Sequence, residues 1–130
     1  MPPWRILIVD DEPEIREVIS EYLEALGNHV DAFARGRQAI EQIGQEIVPY
    51  DIAIVDWTMP GISGRDVVQA IQKDSPTTRI IVATGQLDLT AAAGINPQDL
   101  AVLRKPFTLR SLAGTVSGVM ERGPGRPTSG

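Results

Sequence analysis

Three acidic residues in a row, Asp10-Asp11-Glu12, cut off a short apolar run, and equally abrupt polar breaks occur at Asp56, Thr84 and Lys105. If those runs are strands of one open parallel sheet, the polar residues converge outside the strands' carboxyl ends, where such sheets bind ligands. Crowded carboxylates repel, so Asp10, Asp11 and Asp56 together call for protons or a cation. Hard oxygen ligands with room for water suit Mg²⁺, which is held through one or two carboxylates plus phosphate oxygens. A carboxylate is also a nucleophile toward phosphorus. A Lys ammonium would stabilise charge on the transferring oxygens, and a Thr hydroxyl could donate to one of them. The set suits phosphoryl transfer and needs no His, Cys or Ser nucleophile.

Singly, each residue has a plainer explanation. Asp10-Asp11-Glu12 could cap the helix that follows and complement its dipole. Asp56 alone reads as a turn residue, Thr84 as a strand end and Lys105 as a solvated charge. Trp57 reads as a wall of the pocket, and His29 as structural or exposed. Order and spacing, taken together, favour the shared site.

The elements that would position these residues alternate along the chain. Continuous apolarity over 5–9 suits a strand buried on both faces of a parallel sheet. Ile15, Val18, Ile19, Tyr22, Leu23 and Leu26 follow at helical spacing, with Pro13 in the first turn and Gly27 as the stop. Further strands are expected over 29–34, 51–55, 79–83 and 101–103. Helices are expected over 37–46, around Val67, Val68 and Ile71, and from an N-cap at Thr108 through Leu109, Leu112, Val116, Val119 and Met120. A short, interrupted helix is expected over 87–93. Strands separated by helices make one α/β domain with helices on both faces of a parallel sheet. The domain is expected over 1–122, with 123–130 as a flexible, Gly/Pro-rich tail.

Composition narrows the function. At 130 residues the chain has the size of one domain. Its net charge of -5 and scattered Arg disfavour direct nucleic-acid binding. With no cysteine there are no disulfides or thiolate metal sites, which fits a cytoplasmic setting. No apolar run is long enough for membrane insertion, and the first residues lack a signal-peptide pattern.

Four segments carry a family resemblance over about 5–120: Ile8-Val9-Asp10-Asp11-Glu12, Asp56-Trp57-Thr58-Met59-Pro60-Gly61-Ile62-Ser63-Gly64, Thr84, and Lys105-Pro106-Phe107. Together they resemble the receiver domain of bacterial two-component response regulators, of the chemotaxis single-domain type. The resemblance implies a flavodoxin-like, doubly wound five-stranded parallel sheet in order 2-1-3-4-5. It implies Asp56 as phosphoacceptor, with Mg²⁺ on Asp11, Asp56 and the Thr58 backbone carbonyl, and with Asp10 acting through a metal-bound water. Lys105 would pair with Asp56, its loop held by a cis peptide to Pro106, and Thr84 would carry the switch. The implied partners are a sensor histidine kinase or histidine phosphotransfer protein and a downstream protein target, with a homodimer also allowed. The domain would assist its own phosphorylation and dephosphorylation without being a turnover enzyme.

Three departures from the family pattern fall near the surface that receivers use for output. Val102 stands where an aromatic residue is usual, Gln98-Asp99 replaces a Gly-Ala pair, and Gly85 rather than Ala follows Thr84. The chain's end after 130 favours a stand-alone regulator. The main alternative is a receiver-like module that binds proteins without phosphorylation. A flavin-binding fold would place a Ser/Thr/Gly-rich phosphate loop where this chain has three acids. An aspartyl-phosphate phosphatase would carry its nucleophile after the first strand.

Overall fold

The computed structural model describes residues 3–45, 48–59, 61–85 and 100–121. In chain order the elements are β1 (Arg5–Val9), α1 (Pro13–Ala25), β2 (His29–Phe33), α2 (Gly36–Gln45), β3 (Ile52–Asp56), α3 (Gly64–Asp74), β4 (Arg79–Thr84), β5 (Leu100–Arg104) and α4 (Leu109–Glu121). The helix expected over 87–93 and the tail expected over 123–130 lie outside the described residues.

The five strands pair in parallel in the order β2-β1-β3-β4-β5. Leu7, Val9, Ala53, Val55, Ile80 and Val82 face a core shared with Ala39 and Ile43 of α2 and Val67, Val68 and Ile71 of α3. Ile6, Ile8, Ile52, Ile54, Ile81 and Leu103 face the other core, with Ile19 and Leu23 of α1 and Leu112, Val116 and Val119 of α4. Successive strand residues point to opposite faces, so covering both faces requires the unbroken apolar runs seen in the sequence. Each large aliphatic side chain fully buried this way contributes roughly 1.5–3 kcal/mol. The resulting fold is the expected flavodoxin-like α/β sheet with helices on both faces.

Local signals set the helix ends. Pro13 occupies the first turn of α1, where a missing N–H breaks no intrahelical bond, and Gly27 takes φ 100 just past the C-cap Leu26. Ser63 and Asp66 form a capping box at the start of α3. Thr108 caps α4, its Oγ1 accepting from Ser111 N–H at 3.0 Å.

Three expectations are adjusted by the structure. Ile15 and Val18 do not belong to the buried face of α1: they are 37% and 49% exposed, and Leu26 is 47% exposed. The helix reaches its core through Ile19 and Leu23, with Tyr22 beside them, and this contact stripe is too narrow to include the other three. Trp57 is less a pocket wall than a core residue, half-buried against the cluster beneath α2 and α3. Asp56 and Thr84 are the last residues of β3 and β4, so each strand ends one position later than expected. None of the described helices is long and apolar enough to cross a membrane.

Candidate functional site

The chain runs from β1 out to the edge strand β2, then back across β1 to β3. Its crossovers therefore leave β1 and β3 toward opposite faces and open a crevice between the two carboxyl ends. Strand register sets what lines that crevice. Val9 pairs with Val55, so Asp10 and Asp56, the next residues, end adjacent strands. Asp56 pairs with Ala83, and Thr84 with Arg104. Thr84 thus sits one step beyond the level of Asp56 at the end of β4, and Lys105 two steps beyond it, just past the end of β5. Lys105 N–H donates to the Thr84 carbonyl at 2.8 Å, and Trp57 N–H to the Ala83 carbonyl at 2.9 Å, extending the ladder into the loops.

One oxygen from each of Asp10, Asp11 and Asp56 lies within 4.8 Å of the others. Asp10 and Asp56 are 4% and 3% exposed, whereas Asp11 is half-buried. Burial pushes the Asp56 carboxyl up to about 6, although Lys105 and the Thr58 N–H oppose the rise. Burial also raises Asp10, against the Glu12 N–H bond and the Lys105 charge. Lys105 Nζ donates to Asp56 Oδ1 at 3.1 Å and lies 3.8 Å from Glu12 Oε1. Burial alone would lower the Lys105 pKa, but Asp56, Asp10 and Glu12 outweigh it and hold the ammonium above its usual value.

The side chains of Asp10, Asp11, Asp56 and Lys105 come together. Thr84 is buried at the β4 end, and Thr58 donates its N–H to Asp56 Oδ1 at 3.3 Å. The Lys105–Pro106 peptide is cis, as the resemblance implied. Gly64 has a role the motif alone did not explain. A Cβ there would lie 2.6 Å from Trp57 Cα and would also collide with the Asp56 carbonyl. Only glycine lets α3 start this close beneath the Asp56 backbone.

Two contributions were not expected from the sequence. Glu12 gives Lys105 a second carboxylate. Arg16 Nη1 donates to the Asp10 carbonyl at 2.8 Å, while Asp10 Oδ1 accepts from Glu12 N–H at 2.9 Å, so the acidic turn is held from both sides. Arg16 lies one helical turn past that loop, and its spacing was the available signal. The Asp10-Asp11-Glu12 run does not simply cap α1, because the N-cap Glu12 makes no side-chain capping bond.

An α/β sheet with three carboxylates and one ammonium at its switch point defines a class of domain that gathers hard oxygen ligands around a single aspartate. This chain belongs to the response regulator receiver domain family, whose model matches residues 6–117. It is 31% identical to the response regulator receiver protein CpdR of Brucella abortus, over 89% of this chain and 96% of that one. It is 30% identical to the transcriptional regulatory protein QseB of Escherichia coli, over 96% of this chain but 57% of that one. The chain thus spans nearly all of one relative and about half of another. The response regulator TrrA of Thermotoga maritima, solved in complex with Mg²⁺-BeF, superposes with TM-score 0.76 at 32% identity, covering 89% of this chain and 98% of that one. A CheY-like receiver from Methanospirillum hungatei gives TM-score 0.80 at 25% identity, over 93% and 96%.

Proposed function

We propose that this chain is a phosphorylatable two-component receiver whose Asp56 accepts a phosphoryl group from the phosphohistidine of a sensor kinase or phosphotransfer protein. The observation that carries the reading is the buried Asp56 carboxylate, bonded to Lys105 and grouped with Asp10 and Asp11. An Asp56 oxygen forms the new bond to phosphorus as the P–N bond to the donor imidazole breaks. The imidazole nitrogen keeps the electron pair and takes a proton. Lys105 offsets charge on the phosphoryl oxygens, and Thr84 donates its hydroxyl to one of them and carries the switch.

The three carboxylates offer hard oxygens beside half-exposed Asp11, which fits Mg²⁺. Asp11, Asp56 and the Thr58 carbonyl would hold the ion directly, with Asp10 acting through a water. When bound, the ion supplies positive charge against the phosphoryl oxygens. The receiver unit is 1–122, the protein is cytoplasmic, and it acts stoichiometrically on a downstream protein target.

Intact-mass measurement after incubation with phosphoramidate and Mg²⁺ tests this reading. The wild type should gain one phosphoryl adduct that Asp56→Asn lacks. No adduct, together with no Mg²⁺ affinity, would favour a module that binds proteins without phosphorylation.

A further inference from the structure

A cleft of about 730 Å³ adjoins the acid cluster, lined by Asp11, Arg35, Gly36, Arg37, Gly61 and Ile62 among others. That volume is typical of a small-molecule site. Asp11 belongs both to this lining and to the carboxylate group, so the cleft borders the acid cluster that holds Asp56. Its far wall is cationic. Arg35 and Arg37 stand on either side of Gly36, both exposed. Neither side chain has an ion pair or hydrogen bond among the described residues, despite the net charge of -5.

This wall has a fixed base. A Cβ on Gly36 would come within 3.0 Å of Ile62 Cγ2, the Ile62 carbonyl and Val67 Cγ2. The turn between β2 and α2 is therefore packed against the loop after β3 without slack, and it anchors both arginines. Gly61, at φ 77, has open space where a side chain would stand, which leaves the cleft clear on that side.

We propose that the cleft is a subsite for a second anion: it receives a carboxylate or phosphate on the non-transferred part of a small acyl-phosphate donor whose phosphoryl group faces Asp56. The inference rests on the phosphoacceptor reading of Asp56. Lys105 attracts the phosphoryl end, and a donor with one anionic group would leave the guanidiniums unused. A planar guanidinium matches a carboxylate or phosphate through two parallel hydrogen bonds, a geometry that discriminates as well as attracts. In the transfer, the Asp56 O–P bond forms as the bond from phosphorus to the acyl oxygen breaks. The electron pair leaves with the donor's carboxylate.

Two non-transferable probes test the subsite. Phosphonoacetate carries a phosphonate and a carboxylate, whereas methylphosphonate carries the phosphonate alone. Titrated into the full chain at fixed free Mg²⁺, phosphonoacetate should bind about tenfold more tightly, the value of one good charge-assisted contact. It should also shift the Nε–Hε resonances of Arg35 and Arg37. The Arg35→Gln/Arg37→Gln double variant, shown to be folded by its melting curve, should lose the tenfold preference. Equal affinities in the wild type, or a preference that survives the double substitution, overturns the proposal. Phosphoramidate labelling of the wild type separates the two readings. Labelling without a probe preference rejects the subsite alone, whereas no labelling rejects the phosphoacceptor reading and the subsite with it.

Discussion

Lys105 Nζ reaches Asp56 Oδ1 at 3.1 Å across 49 residues of sequence, and the Lys105 backbone is tied to Thr84 on the strand between them. One ammonium is thereby held against a carboxylate that burial pushes toward its neutral form. The pair keeps charge at the end of β3, where a sheet interior would otherwise favour a proton.

Replacing Lys105 with Met should slow phosphorylation by phosphoramidate about 10²–10³-fold, the usual cost of losing one charge aimed at a transferring group. Cation affinity should not fall, because the acid cluster loses a competing positive charge. Intact-mass time courses and Mg²⁺ titrations measure the two effects, and an unchanged labelling rate would remove Lys105 from the chemistry.

The raised pKa of Asp56 sets the sign of a pH effect. Its folded value of about 6 lies above the ordinary 3.8, so the folded state binds the proton more tightly than the unfolded state. The stabilisation from protonation is present at low pH and is lost as pH rises through about 6. Asp10 acts in the same direction. Without divalent cations, Asp56→Asn should therefore stabilise the protein at pH near 7.5 by about 1–3 kcal/mol, and by less near pH 5. Urea unfolding at the two pH values would contradict this if the variant were less stable at the higher one.

Two glycines should respond oppositely to alanine. Gly64→Ala drives a Cβ into the Asp56–Trp57 backbone and should cost more than about 2 kcal/mol. Gly44 lies in α2 with nothing within 4 Å of an added Cβ, so Gly44→Ala should add about 0.5–1 kcal/mol of stability. Denaturant midpoints of the two variants, compared with wild type, decide the matter.

Val102 is 39% exposed, in the middle of edge strand β5, and pairs with Val82. Strand β4 separates it from β3, which carries Asp56. Val102→Ala should leave phosphoramidate labelling within about twofold of wild type, since surface changes away from such features cost within about 0.5 kcal/mol. A large loss of labelling would show that this position is coupled to the chemistry.

The apolar runs, the abrupt acids behind them and the Pro, Gly and Thr punctuation determined the alternation of elements, the parallel α/β class and the residues worth grouping. They could do so because a strand covered on both faces must be apolar throughout, and because ligand-binding residues follow such strands. Several features were decided only by tertiary structure. Ile15 and Val18 share the helical spacing of Ile19 and Leu23, yet they face outward, because periodicity gives a stripe without its width. Gly64 reads as a turn glycine until the fold brings α3 against Asp56. Arg16, the rise in the Asp56 pKa and the arginine-walled cleft all arise from groups far apart in sequence that the sheet brings together. Desolvation and charge coupling depend on distance in space, which no local pattern records.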